Sequence, residues 1–171
     1  MSGLSVRKMT RLAILLALGV ILNYMEHVLL PTAFIAPGVK LGLANTVGLI
    51  VLYFFGVGEF MAIGLLRIVL TSLFTGFGFN FFIALSGWGL ATIFVVILYY
   101  FQKFSMFGLS MAAAVAHGIG QVVMVSILYE SVYMLNYLPV LTFTGIISGL
   151  LIALIAKEAL RRIDAVPYVE P

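Results

Sequence analysis

Charge is missing from long stretches of this chain, and that constrains its fold more than any motif does. Between Arg67 and Lys103 no side chain carries a formal charge. Of the 171 residues, 64% are hydrophobic and only 9% charged, where a soluble domain carries about 25% charged residues. A water-soluble fold would have to cover itself with charges that are not there. The apolar residues fall in runs comparable to the roughly 20 residues a helix needs to cross a bilayer. The sequence therefore predicts an all-α integral membrane bundle of about six transmembrane helices. Residues 1–171 form one transmembrane domain, with a short N-terminal segment 1–8 and a C-terminal tail 157–171.

The expected spans are Met9 to Leu30, Leu41 to Phe55, Glu59 to Phe74, Phe81 to Phe101, Phe107 to Tyr129 and Val140 to Ala156. The second, third and sixth are short for a full crossing, which implies local thinning or loops that dip into the bundle. The first apolar run is too long for a signal-peptide core and lacks a small-residue cleavage site, so no cleavable signal is expected. With no cysteine in the chain, disulfides, thiolate metal sites and thiol nucleophiles are excluded.

The net charge of +3 points to orientation rather than to nucleic acid. Arg7, Lys8, Arg11, Lys103, Lys157, Arg161 and Arg162 collect on one side of a six-span topology, and Lys40 stands alone on the other. By the positive-inside rule both termini are cytoplasmic. The connections Pro31–Lys40, Thr75–Asn80 and Glu130–Pro139 then face outward, in the cell membrane of a bacterium.

Few polar groups interrupt the spans. Arg67 is mid-span, where a charge costs about 2.5–3.5 kcal/mol on insertion scales and so turns to an interior or a wet cavity. It is expected to contact a ligand or to pair with a carboxylate or backbone carbonyls. Glu59, eight residues earlier on the same span, reads as an interfacial carboxylate. His117 and Gln121 are four residues apart and share a helix face, either as a helix–helix hydrogen bond or as a ligand contact. Glu26 and His27 diverge by about 100° on a helix. With His117 they offer no local metal-ligand spacing, so no metal is expected. Trp88, Tyr133 and Tyr137 are interface anchors or aromatic walls of a site. Lys40 together with Arg67 points to an anionic or polar ligand, a carboxylate or a phosphate. Small residues at four-residue spacing mark close helix contacts: Ala13 and Ala17 on the first span, Ala112, Ala116 and Gly120 on the fifth, Gly145, Gly149 and Ala153 on the sixth.

The run PGVKLGLANTVGLIVLYFFG (Pro37 to Gly56) resembles the signature segment of the Gx transporter family, whose members also carry the name membrane-type heptaprenyl diphosphate synthase component I. The likeness continues through LLRIVLTSLFTGFGF (Leu65 to Phe79), ALSGWGLA (Ala84 to Ala91), FSMFGLSMAAAVAHGIGQ (Phe104 to Gln121) and YLPVL (Tyr137 to Leu141), and so covers most of the chain in order. That family is in turn similar to the substrate-binding S components of energy-coupling factor transporters, which import vitamins and other micronutrients. The resemblance implies a six-helix S-component-like bundle whose partners are a transmembrane coupling (T) protein and two ABC-type ATPases. It implies docking of the coupling protein at Ala13 and Ala17, which fit an alanine-x-x-x-alanine motif. It also implies a ligand held near the outer face, with Lys40, Asn45, Asn80, Ser86, His117 and Gln121 as candidates; Arg67 joins them by its position mid-span.

Catalysis is not expected. Prenyl diphosphate synthases hold magnesium through clustered carboxylates, whereas this chain has one aspartate, Asp164, and scattered glutamates at 26, 59, 130, 158 and 170. No cofactor or catalytic residue is assigned, and no phosphate-cradling Gly-x-x-x-x-Gly-Lys-Ser/Thr run occurs, so any use of ATP falls to partners. The leading expectation is capture of a micronutrient for import. The others are a non-catalytic accessory subunit in prenyl diphosphate or quinone metabolism, and a channel or ion-coupled carrier. The last lacks carboxylates deep in the membrane, because every glutamate falls near a span end.

Overall fold

The structure, a computed structural model, describes residues 6–29 and 42–162, with the backbone only for His27 and Leu29. Six α-helices follow one another: α1 Val6–Leu29, α2 Leu43–Phe55, α3 Val57–Thr75, α4 Phe79–Phe101, α5 Met106–Leu128 and α6 Leu138–Arg162. Five spans are long and apolar enough to cross a membrane, while α2 is a shorter apolar helix.

Where the helices stop follows from local chemistry. Gly56 has φ of 99°, a conformation that an L side chain rarely adopts; it ends α2, donates its amide to the Leu52 carbonyl and starts α3. Ser105 caps α5, its hydroxyl accepting the Gly108 amide at 3.2 Å. A short 3₁₀ helix, Val132–Tyr137, runs straight into α6, so the expected outer loop Glu130–Pro139 is largely helical. Pro139 is tolerated there because it falls in the first turn, where its missing N–H costs nothing.

Two expected span lengths need correction. At about 1.5 Å per residue, α6 with 25 residues is ~37 Å long and α3 with 19 is ~28 Å. The sixth span is thus not short. The unbroken apolar run ends at Ala156, but the helix continues: Ala159 and Leu160 pack on the core, and Glu158 pairs with Arg162 at 2.7 Å and with Arg161 at 3.2 Å. Only α2, at 13 residues and ~20 Å, stays well short of the hydrocarbon thickness.

The helices alternate in direction. Lys8 on α1 pairs with Glu59 in the first turn of α3, and the Lys157 ammonium on α6 lies 5.5 Å from the Phe107 ring centre on α5. At the other end, Tyr24 meets Phe74 with ring centroids 6.2 Å apart, and Phe79 meets Tyr129 at 5.8 Å. The start of α1 at Val6 and the end of α6 at Arg162 therefore lie at one end of the bundle, with the basic cluster.

The bundle has two halves. In the first, α1, α2 and α3 contact one another; in the second, α5 packs closely against both α4 and α6. Missing side chains allow that closeness. A Cβ on Gly120 would sit 2.6 Å from the Ser86 carbonyl oxygen, and one on Gly149 would sit 2.6 Å from the Met111 Cα. Serines tie the same crossings: Ser86 Oγ donates to the Gly120 carbonyl and Ser110 Oγ to the Gly149 carbonyl, both at 2.8 Å. The stripes on α5 and α6 are thus packing surfaces inside the bundle. The halves meet through α3 against α4 and α2 against α6, over a buried core of Leu49, Ile50, Leu52, Val95, Leu109 and Ile152. The perimeter is apolar and open, with Phe74 71% and Phe143 67% exposed, as a lipid-facing surface requires.

Candidate functional site

Arg67 organises the space between the halves. It is 7% exposed, half-way along α3. Its stem crosses toward α1 at Gly19, where a Cβ would lie 3.3 Å from Arg67 Cδ. The guanidinium ends on the first turn of α2: Nη1 donates to the Ala44 carbonyl and Nη2 to Asn45 Oδ1 at 3.1 Å. Among the described residues Nε is buried without a hydrogen-bond partner. The α2 start is the place for a cation to end, because Gly42, with φ of 74°, turns the chain there and leaves first-turn polar groups within reach.

A cavity of about 80 Å³ opens beside this arginine. The first half of the bundle supplies Asn23 and Glu26 from α1, Asn45 from α2 and Arg67 from α3; the second supplies His117 and Gln121 from α5 and Thr144 and Ser148 from α6. Glu26 is 6% exposed, and its carboxylate accepts the Gly42 amide, which joins the end of α1 to the start of α2. Glu26 and Arg67 face the same cavity, but no ion pair within 4.0 Å joins the two among the described residues. Gln121 is 3% exposed and faces the cavity, and among the described residues its amide has no hydrogen-bond partner. Gly87 on α4 lets this pair sit where it does: a Cβ there would be 2.7 Å from Gln121 Cγ and 3.0 Å from His117 Cε1. The wall thus offers an acid, a base, an imidazole, amides and hydroxyls, able to hold a polar ligand from several sides.

Of the residues proposed from sequence, Asn45, Arg67, His117 and Gln121 come together here. Lys40 lies outside the described residues. Asn80 is exposed in the first turn of α4, away from the cavity lining, and Ser86 spends its hydroxyl on the Gly120 carbonyl. Ala13 and Ala17 are exposed on α1 and open to the surroundings. Trp88 is neither anchor nor cavity wall: its indole is packed on α3, with Nε1 2.2 Å from where a Gly64 Cβ would be. Tyr133, at 82% exposed, stands at the bundle end.

Sequence reasoning missed Asn23, Glu26, Thr144 and Ser148. The signal for the first pair was present. Gly19, Asn23 and Glu26 lie at helical spacing on one face of an otherwise apolar helix, a small-and-polar stripe that points inward. Thr144 and Ser148 repeat this on α6. Glu26 lies near the end of its span, and it is buried there because its carboxylate closes the α1–α2 junction. No group of three or more metal-ligating side chains occurs among the described residues.

No curated protein and no solved structure matches the chain. A family model described as heptaprenyl diphosphate synthase component I does match, over residues 15–159. That range includes every residue of the cavity wall, from Asn23 to Ser148. This polar-cored membrane bundle belongs to the heptaprenyl diphosphate synthase component I family.

Proposed function

We propose that the chain is the ligand-capturing subunit of a micronutrient importer of the energy-coupling factor type, taking up a small polar or anionic molecule at the end opposite its termini. The observation that carries this reading is the convergence of Glu26, Arg67, His117 and Gln121 on one cavity within an apolar bundle. Ionisable groups inside a membrane are expensive and mark ligand or ion pathways. The basic end of the bundle faces the cytoplasm in this reading, which directs the cavity outward. Ala13 and Ala17, exposed on α1, form the contact for a transmembrane coupling protein that works with two ATPases.

Size sets a requirement. Pockets for drug-sized ligands span about 300–1,000 Å³, and 80 Å³ is well below that. Capture of a whole micronutrient therefore requires the two halves of the bundle to part around it. Mass spectrometry of small molecules retained by protein purified in mild detergent tests the reading. The wild type is expected to carry a specific polar compound that Arg67→Met loses. Identical retained molecules in both proteins would remove the site.

The family supports a second reading, a non-catalytic membrane subunit that accompanies a synthase in prenyl diphosphate metabolism. Co-purification separates the two: ATPases favour import, and a soluble synthase favours the accessory role.

A further inference from the structure

A second cavity, of about 60 Å³, lies behind the first. Ala44, Asn45, Arg67 and Ala114 line both. The two follow each other along the bundle. On α6 the wall passes from Thr144 and Ser148 to Ile152, on α5 from Gln121 and His117 to Ala113 and Ser110, and on α2 from Gly42 to Leu52. The character changes at Arg67. Beyond it the wall is Val47, Leu52, Phe60, Ile63, Val95 and Ile152, with Ser110 as a polar exception whose hydroxyl is already bonded to the Gly149 carbonyl.

We infer that the site is bipartite and takes an amphiphile, whose polar head lies among Glu26, Arg67 and Gln121 and whose short aliphatic tail passes Arg67 into the apolar chamber. The inference rests on the capture reading and adds a ligand class to it. Three observations support it. The guanidinium is held by Ala44 and Asn45 on the wall that the two chambers share, so Arg67 borders both of them. Among the described residues its buried Nε has no hydrogen-bond partner, so the guanidinium keeps a donor for the head of such a ligand. The inner chamber is apolar enough that water gains little there. An engineered apolar cavity of roughly 150 Å³ accommodates benzene, so 60 Å³ accepts a few carbon atoms and excludes a ring or a long chain. The head supplies an acceptor for Arg67, as a carboxylate or a phosphate does.

Two homologous series test this on the full chain in lipid nanodiscs: straight-chain carboxylates from acetate to octanoate, and inorganic phosphate followed by n-alkyl monophosphates of the same lengths. Binding is read by the quenching of Trp88, the single tryptophan, and by thermal unfolding. For the preferred head, affinity is expected to rise about fourfold per methylene over the first few carbons and then to level off or fall. Ala113→Phe fills the inner chamber and should abolish the gain while the shortest member still binds; Ile152→Ala enlarges it and should move the break to a longer chain. Binding without dependence on chain length overturns the bipartite site and leaves the capture reading standing. A rise that continues to octyl, unaltered in both variants, is bilayer partition and also overturns it. Absence of binding by every member of both series removes the anion-capture reading itself, and the inference with it.

Discussion

The Trp88 indole rests on Gly64, one helical turn before Arg67, so closely that a Cβ on that glycine would lie 2.2 Å from Nε1. This contact sets how α3 approaches α4, and through α3 where the guanidinium falls. Gly64→Ala is therefore expected to cost about 1–3 kcal/mol through overpacking. Trp88→Phe in the Gly64→Ala background should restore part of the loss. Chemical denaturation in bicelles measures both.

Gly87 does the same for the other wall. A methyl group there collides with Gln121 Cγ at 2.7 Å and with the His117 ring and carbonyl at 3.0 Å. Gly87→Ala should weaken retention of the bound molecule at least tenfold while the protein remains folded. Retention by mass spectrometry, with a near-wild-type unfolding transition, checks this.

Charge and hydrogen bonding at Glu26 separate by substitution. Glu26→Ala deprives the Gly42 amide of its acceptor and should cost about 1–3 kcal/mol. Glu26→Gln keeps an acceptor oxygen at the same place and should cost less. Because Glu26 and Arg67 share one cavity, the double variant Glu26→Gln with Arg67→Met should be more stable than the sum of its parts by at least about 0.5 kcal/mol. A double-mutant cycle reads that coupling.

The Lys8–Glu59 pair is a contrast. Both side chains are about a quarter to a third exposed, at 33% and 24%. Exposed pairs contribute about 0.2–1 kcal/mol, so Lys8→Met should lower stability by no more than that. A larger loss would mean that this end of the bundle is drier than its exposure indicates.

Docking on α1 gives the sharpest functional test. Ala13→Trp, or Ala17→Trp, adds bulk to an exposed face and should leave ligand retention unchanged while uptake in whole cells is lost. Uptake at the wild-type level removes the docking surface from the proposal.

How far the sequence could be read depended on what each signal encodes. Hydropathy located six helices because burial in lipid selects apolar residues along the whole span, and it misjudged α6 where the helix runs past the continuous apolar stretch, with Glu158 paired to Arg162 and with Ala159 and Leu160 on the core. Arg67, His117 and Gln121 were legible because a polar residue in a span is rare and must face inward. Asn23, Glu26, Thr144 and Ser148 were harder, since their shared destination depends on which helix faces which, and that follows from the glycine contacts rather than from any local pattern. Asn80 and Ser86 do not line this cavity, and that too depends on how the helices face one another. One lies on the outside of α4, and the other is consumed by its own helix crossing.

The glycine-to-backbone contacts of α4, α5 and α6 have a mechanical consequence. Helices locked by missing side chains and serine bridges move together, whereas α1 packs mainly on α2 and α3 and, among the described residues, most of its surface is open. A pull applied to α1 would thus reach the cavity directly through Asn23 and Glu26, and would withdraw the carboxylate while Arg67, held from α3 on the start of α2, and the amide side stay in place. Release would then need no unfolding, only a short lateral stroke of one helix.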